Sequence, residues 1–115
     1  MEKIEKEVEW LSDSALSWVI EQIQIENGEH RKAWALADHE SGIVHHNYVS
    51  DTDFIVELIQ NERPVSITSD INGDFCVFWR KDSTSVTSVS FRTAVLRAYA
   101  KHVLGKTVLI PANLY

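Results

Sequence analysis

Ser90-Phe-Arg-Thr-Ala-Val-Leu-Arg-Ala-Tyr-Ala-Lys-His-Val-Leu-Gly105 decides how the rest of the chain is read. As a helix it sets Phe91, Val95, Leu96, Tyr99, Val103 and Leu104 along one broad apolar stripe. Ser90 suits the N-cap, because its hydroxyl can accept a free amide of the first turn. Gly105 suits the position after the last turn, where a left-handed residue ends many helices. Arg97, Lys101, His102 and Lys106 gather where the helix dipole favours positive charge. The rest of the chain is then expected to cover that stripe.

Working back towards the start, Val65-Ser-Ile-Thr-Ser69 alternates apolar and polar residues. Phe75-Cys-Val-Phe-Trp-Arg80 is rich in strand formers. Asn72-Gly73 lies between them, and this dipeptide favours a hairpin turn. Val86–Val89 predicts a third short strand. Ser50-Asp-Thr-Asp53 predicts a helix start, followed by an apolar face of Phe54, Ile55, Leu58 and Ile59 and a stop at Pro64. Ala15, Leu16, Val19, Ile20 and Ile23 predict a helix from Ser12 or Ser14 to about Asn27, with Gly28 beyond it. Arg31–Asp38 and Ile43–Val49, joined through Ser41-Gly42, predict a hairpin; a short alanine-rich helix is the competing reading. Lys3–Trp10 and Thr107–Leu114 predict edge strands, the second ended by Pro111.

The fold class expected is therefore α+β: about three helices packed on one face of a small, mostly antiparallel sheet, in a single domain over residues 1–115. The expected core is Leu16, Val19, Ile20, Ile23, Phe54, Leu58, Ile67, Val77, Trp79, Val95, Leu96, Tyr99 and Val103. An edge strand at either end leaves a symmetric homodimer open.

Charge divides unevenly. Residues 1–62 hold 14 acids and 4 bases, a net −10, and residues 63–115 hold 3 acids and 7 bases, a net +4. The acidic half suits a basic partner. Glu5, Glu7, Glu9, Asp51, Asp53 and Glu57 are the candidate contact face. No apolar run is long enough to span a bilayer, and the charged start lacks the apolar core of a signal peptide, so a cytoplasmic location is expected.

No motif specifies a reaction or a cofactor. His45 and His46 would face opposite sides of a strand, and no His-x-x-x-His pair supports a metal. Asp70–Asp74 offers oxygens at alternate positions, but a calcium loop starting there would place Phe75 where glycine is needed and Lys81 where glutamate is needed. Lone Cys76 reads as a small buried hydrophobe. The four glycines sit at turns and form no phosphate loop. An enzymatic alternative would use His39, His45 and His46 near Asp51 and Asp53. A nucleic-acid-binding alternative would use Arg92, Arg97, Lys101 and Lys106 at the basic end of the last helix. Trp10, Trp18, Trp34 and Trp79 are core residues or, where exposed, interface anchors.

Three stretches together resemble a known family. They are Leu11-Ser-Asp-Ser-Ala-Leu-Ser-Trp-Val19, Tyr48-Val-Ser-Asp-Thr-Asp-Phe54, and Ser90-Phe-Arg-Thr-Ala-Val-Leu-Arg-Ala-Tyr-Ala100 continued by Leu104-Gly-Lys-Thr-Val-Leu-Ile-Pro-Ala-Asn-Leu114. They are similar to the opening helix, the Tyr-Ser-x-Ser-Thr-Asp-Trp centre and the Gly-x-x-Val-x-Val-Pro ending of the NinX-like domain of unknown function, found in small phage and prophage proteins. Ser17, Phe54 and Phe91 depart from its pattern. The resemblance implies a non-enzymatic phage accessory protein inside a bacterial cell. Its expected partner is a host protein, such as a CRISPR–Cas or other defence component, which it would inhibit.

Overall fold

The computed structural model describes residues 2–28, 33–44, 46–62, 66–69, 72–79 and 84–114. Its centre is the helix quoted first, Phe91–Leu104. Ser90 accepts the Thr93 amide at 3.3 Å, and Gly105 follows with φ +95°. This helix touches elements on several sides, so its buried surface is wider than one stripe. Thr93, Ala94, Val95, Leu96, Ala98, Tyr99 and Ala100 are all buried. Val103, expected in the core, is 44% exposed. Ala94, Ala98 and Ala100 are fully buried, so the covered surface of the helix includes its small residues, while Val103 in its last turn is left outside.

The other elements follow in chain order. They are β1 (Lys3–Glu7), α1 (Asp13–Glu26), α2 (Ala33–Glu40), α3 (Thr52–Glu62), β2 (Ser66–Ser69), β3 (Phe75–Trp79) and β4 (Thr84–Ser88). The central helix is α4, and β5 (Thr107–Pro111) comes after it. The class is α+β, as expected. The arrangement differs from that expected: among the described residues, four helices pack with two small antiparallel sheets instead of about three helices on one.

The first sheet is the meander β2-β3-β4. Ile67, Val77 and Val86 stand in line across it. Val77 and Val86 are buried, and Ile67 packs at the core's edge. Thr68, Cys76 and Thr87 are likewise in register, on the opposite face. Cys76 is therefore half-buried and not the core hydrophobe expected of it. Gly73, with φ +86°, supplies the left-handed residue that the Asn72-Gly73 signal called for.

The second sheet pairs β1 with β5, from Lys3↔Pro111 to Glu7↔Thr107. The two strands expected to lie at free edges are thus partners. Backbone bonds from Val8 to Lys106 and from Ala112 to Glu2 close the pair at both ends.

The preferred hairpin over residues 31–49 is replaced by α2. Gly42 ends that helix and does not turn a hairpin. Its φ is +80°. Its amide reaches the His39 carbonyl and the Ile43 amide reaches the Asp38 carbonyl, the double bond of a left-handed helix stop. Asn113 donates to the Gly42 carbonyl at 3.2 Å and ties this corner to the end of the chain.

In α1, Ser12 caps the Ala15 amide and buried residues run unbroken from Ala15 to Glu21. Of the expected core, Phe54 is only half-buried, and the Trp79 side chain lies outside the described residues. Among the tryptophans, Trp18 is in the core, Trp10 is 64% exposed, and the Trp34 side chain lies outside the described residues. No described helix is long and apolar enough to cross a membrane.

Candidate functional site

The start of α3 shows how local chemistry builds a cleft. Asp51 is its N-cap, accepting the Phe54 amide on Oδ1 at 3.0 Å. Ser50, also a capping residue by type, instead donates its hydroxyl to the Asn47 carbonyl. Once the helix starts at Thr52, Asp53, Glu57 and Asn61 recur every fourth residue and share a face. That face borders an open cavity of about 640 Å³. Asp51, Asp53, Glu57 and Glu62 give it four carboxylates, and Gln24, Asn27 and Asn61 give it three carboxamides. Tyr48, Leu58 and Tyr99 are buried and form its floor, with Phe54 beside them. No lysine, arginine or histidine is among the described residues that line it.

The floor is fixed from three directions. The Tyr48 amide donates to Ser17 Oγ of α1 at 3.1 Å. The Tyr48 ring meets Phe54 edge-on at 4.9 Å, and His46 at 4.6 Å. Arg92 of α4 reaches the Val49 carbonyl and the Thr52 hydroxyl.

The electrostatics agree with this geometry. Burial first, then the charges of Glu21 and Asp51, push the Tyr48 hydroxyl up to about 12. Burial, then Glu62, raises Tyr99. The Phe54 amide, then the His46 hydrogen bond, holds the Asp51 carboxyl below the ordinary value of 3.8. Near neutral pH Asp51 is therefore a carboxylate, and the two phenols keep their protons. Such a lining attracts ammonium or guanidinium groups by charge and by the faces of its rings.

The six candidate acids fall into two groups. Asp51, Asp53 and Glu57 border the cleft. Glu5 and Glu7 lie on β1 and Glu9 in the 3₁₀ turn after it, where Glu7 meets Lys106 at 3.9 Å and Glu9 meets Lys101 at 3.7 Å. Glu62, Tyr48 and Tyr99 complete the cleft, and none of the three belongs to the candidate contact face. Only their types, an acid at a helix end and two tyrosines in apolar company, hinted at them.

The histidines do not share one site. His39 of α2 is buried against α1, with its ring nitrogens beside Glu21 and Gln22. His46 is half-exposed and meets Asp51 at 2.7 Å. His45 lies outside the described residues, as do Asp70 and Lys81 of the calcium-like stretch. No group of three or more His, Cys, Asp or Glu side chains with metal-holding geometry occurs among the described residues.

The basic residues proposed for nucleic acid all have protein acceptors. Arg97 donates to the Leu11 carbonyl at 2.5 Å, Arg92 binds the cleft loop, and Lys101 and Lys106 meet glutamates.

The class defined by this fold and site is a small α+β domain with an acidic, aromatic-floored cleft. No family model, curated protein or solved structure matches the chain.

Proposed function

We propose that this chain is a non-enzymatic accessory protein of phage or prophage origin that binds a protein of its bacterial host. Inhibition of antiviral defence, in the manner of an anti-CRISPR, is the role that best suits it. The observation that supports binding is the cleft, where four carboxylates and three aromatic rings line a cavity of about 640 Å³. Proteins that hold nucleic acid do so in positively charged channels. An acidic surface with rings among its charges is complementary to such a channel. The phage context rests on the three NinX-like stretches alone. A bacterial cytoplasmic location belongs to the same proposal.

The test is capture of a host protein on the immobilised chain, followed by binding measurements over a range of salt. The expected result is salt-sensitive binding by the wild type that is lost in Asp53→Lys/Glu57→Lys. Binding that survives this reversal would refute the cleft as the contact. A second reversal, Glu5→Lys/Glu7→Lys/Glu9→Lys, tests the β1 group separately.

A further inference from the structure

The β1–β5 ribbon leaves one edge of β1 open. Val8 donates to the Lys106 carbonyl at one end of the ribbon, and Ala112 donates to the Glu2 carbonyl at the other. In an antiparallel pair, partners that exchange backbone bonds recur at every second residue. Glu2, Ile4, Lys6 and Val8 therefore turn their backbone groups to β5, and Lys3, Glu5 and Glu7 turn theirs away from it. Among the described residues, no third strand joins this sheet, and no backbone bond is made across that edge. Such an edge is a template for another strand. The far edge of β5 is a poorer one, since Pro111 there has no amide.

The charges on β1 indicate which strand fits. Glu2-Lys3-Ile4-Glu5-Lys6 mirrors itself with opposite sign about Ile4. A twofold axis lays a second copy of β1 antiparallel on the first. With Ile4 against Ile4, Lys3 stands opposite Glu5 of the second copy, and Glu2 stands opposite its Lys6. Lys3 and Glu5 also carry outward backbone groups, so the same register makes main-chain bonds.

Sliding the second copy to the next bonded register spoils the match in either direction. One slide sets Glu5 against Glu5, and the other sets Lys3 against Lys3. Opposite charges directly across a strand pair stabilise it, and like charges do the reverse. Glu2, Lys3 and Glu5 are exposed, and Ile4 is half-buried. Lys3 Nζ lies 5.8 Å from the centre of the Trp18 ring in the single chain, and its long stem can also reach a carboxylate across the edge.

We propose that this chain forms a symmetric dimer through β1, with the twofold axis at Ile4. The two-stranded sheets of both copies then join into one of four strands, in the order β5-β1-β1-β5. The assembly closes at two copies, because Pro111 interrupts the edge that comes next. No residue of β1 or β5 lines the cleft, so the dimer presents two clefts.

The test is sedimentation equilibrium of the intact protein, of Lys3→Glu, of Glu5→Lys and of an equal mixture of the two variants. The expected wild-type result is a reversible dimer. Each variant alone sets like charges opposite each other and should dimerise about tenfold more weakly. In the mixture every acid again faces a base, so the two variants should pair with each other about as tightly as the wild type pairs with itself. A wild type of single-chain mass at about 1 mM, where even a weak pair forms, would overturn the proposal. So would a dimer that both variants leave unchanged, or folded variants that do not pair when mixed. If a variant does not fold, the swap Lys3→Glu/Glu5→Lys in one chain takes its place. It keeps the complementarity and should dimerise like the wild type, and loss of the dimer there would overturn the register.

Discussion

Asp51 holds two different parts of the cleft with its two oxygens: Oδ1 accepts the Phe54 amide at 3.0 Å and Oδ2 meets His46 Nε2 at 2.7 Å. One carboxylate thus starts α3 and positions the ring that packs on Tyr48. Asp51→Ala removes both contacts and should cost about 1 kcal/mol, the usual worth of an N-cap. Asp51→Asn keeps a capping oxygen and should cost less. Urea unfolding of the two variants measures the difference.

The same residue sets an acid dependence. Its folded carboxyl titrates below the ordinary 3.8. The stability it contributes is therefore fully present above that value and is lost as pH falls through the lower, folded one. Asp51→Asn should flatten the acid limb of the stability curve. An unchanged limb would show that Asp51 has no part in it.

Tyr48 governs the alkaline side of the cleft. Its hydroxyl is pushed up to about 12 from the usual 10. The folded state keeps a proton that the unfolded chain releases, so stability falls as pH rises above 10. Absorbance titration of phenolate should show a late-ionising tyrosine that disappears in Tyr48→Phe.

Helix α4 is buried on more sides than a single stripe, and core substitutions along it test this. Leu96→Ala should cost about 2–5 kcal/mol, as for other fully buried leucines. Ala98→Leu should also destabilise, by about 1–3 kcal/mol, because no room remains beside it. Val103→Ala should change stability by only about 0.5 kcal/mol, as an exposed site does. Thermal or urea unfolding of the three ranks them, and a large loss at Val103 would reverse the assigned orientation.

Elements whose signals are local were legible in the residues. Ser90 and Gly105 bracket α4, Ser12 caps α1, and Asn72-Gly73 lies between β2 and β3, each within a few residues of what it controls. Ser41-Gly42 misled because a left-handed glycine serves a hairpin turn and a helix stop equally well. What separates the two is distant: Trp18 grips the His39 carbonyl 21 residues away. The β1–β5 pairing also joins opposite ends of the chain, a match that no local pattern encodes. Half of the cleft was visible as the acids of α3. The other half was not, since Tyr99 reaches it only through the packing of α4.

Ser17 and Trp18 are adjacent in α1, yet they clasp backbone at Tyr48 and at His39, well apart along the chain. Both clasps hang from the same peg. Fraying α1 at that point would free both together, so the two held positions should open and close as one cooperative unit rather than peel away in sequence.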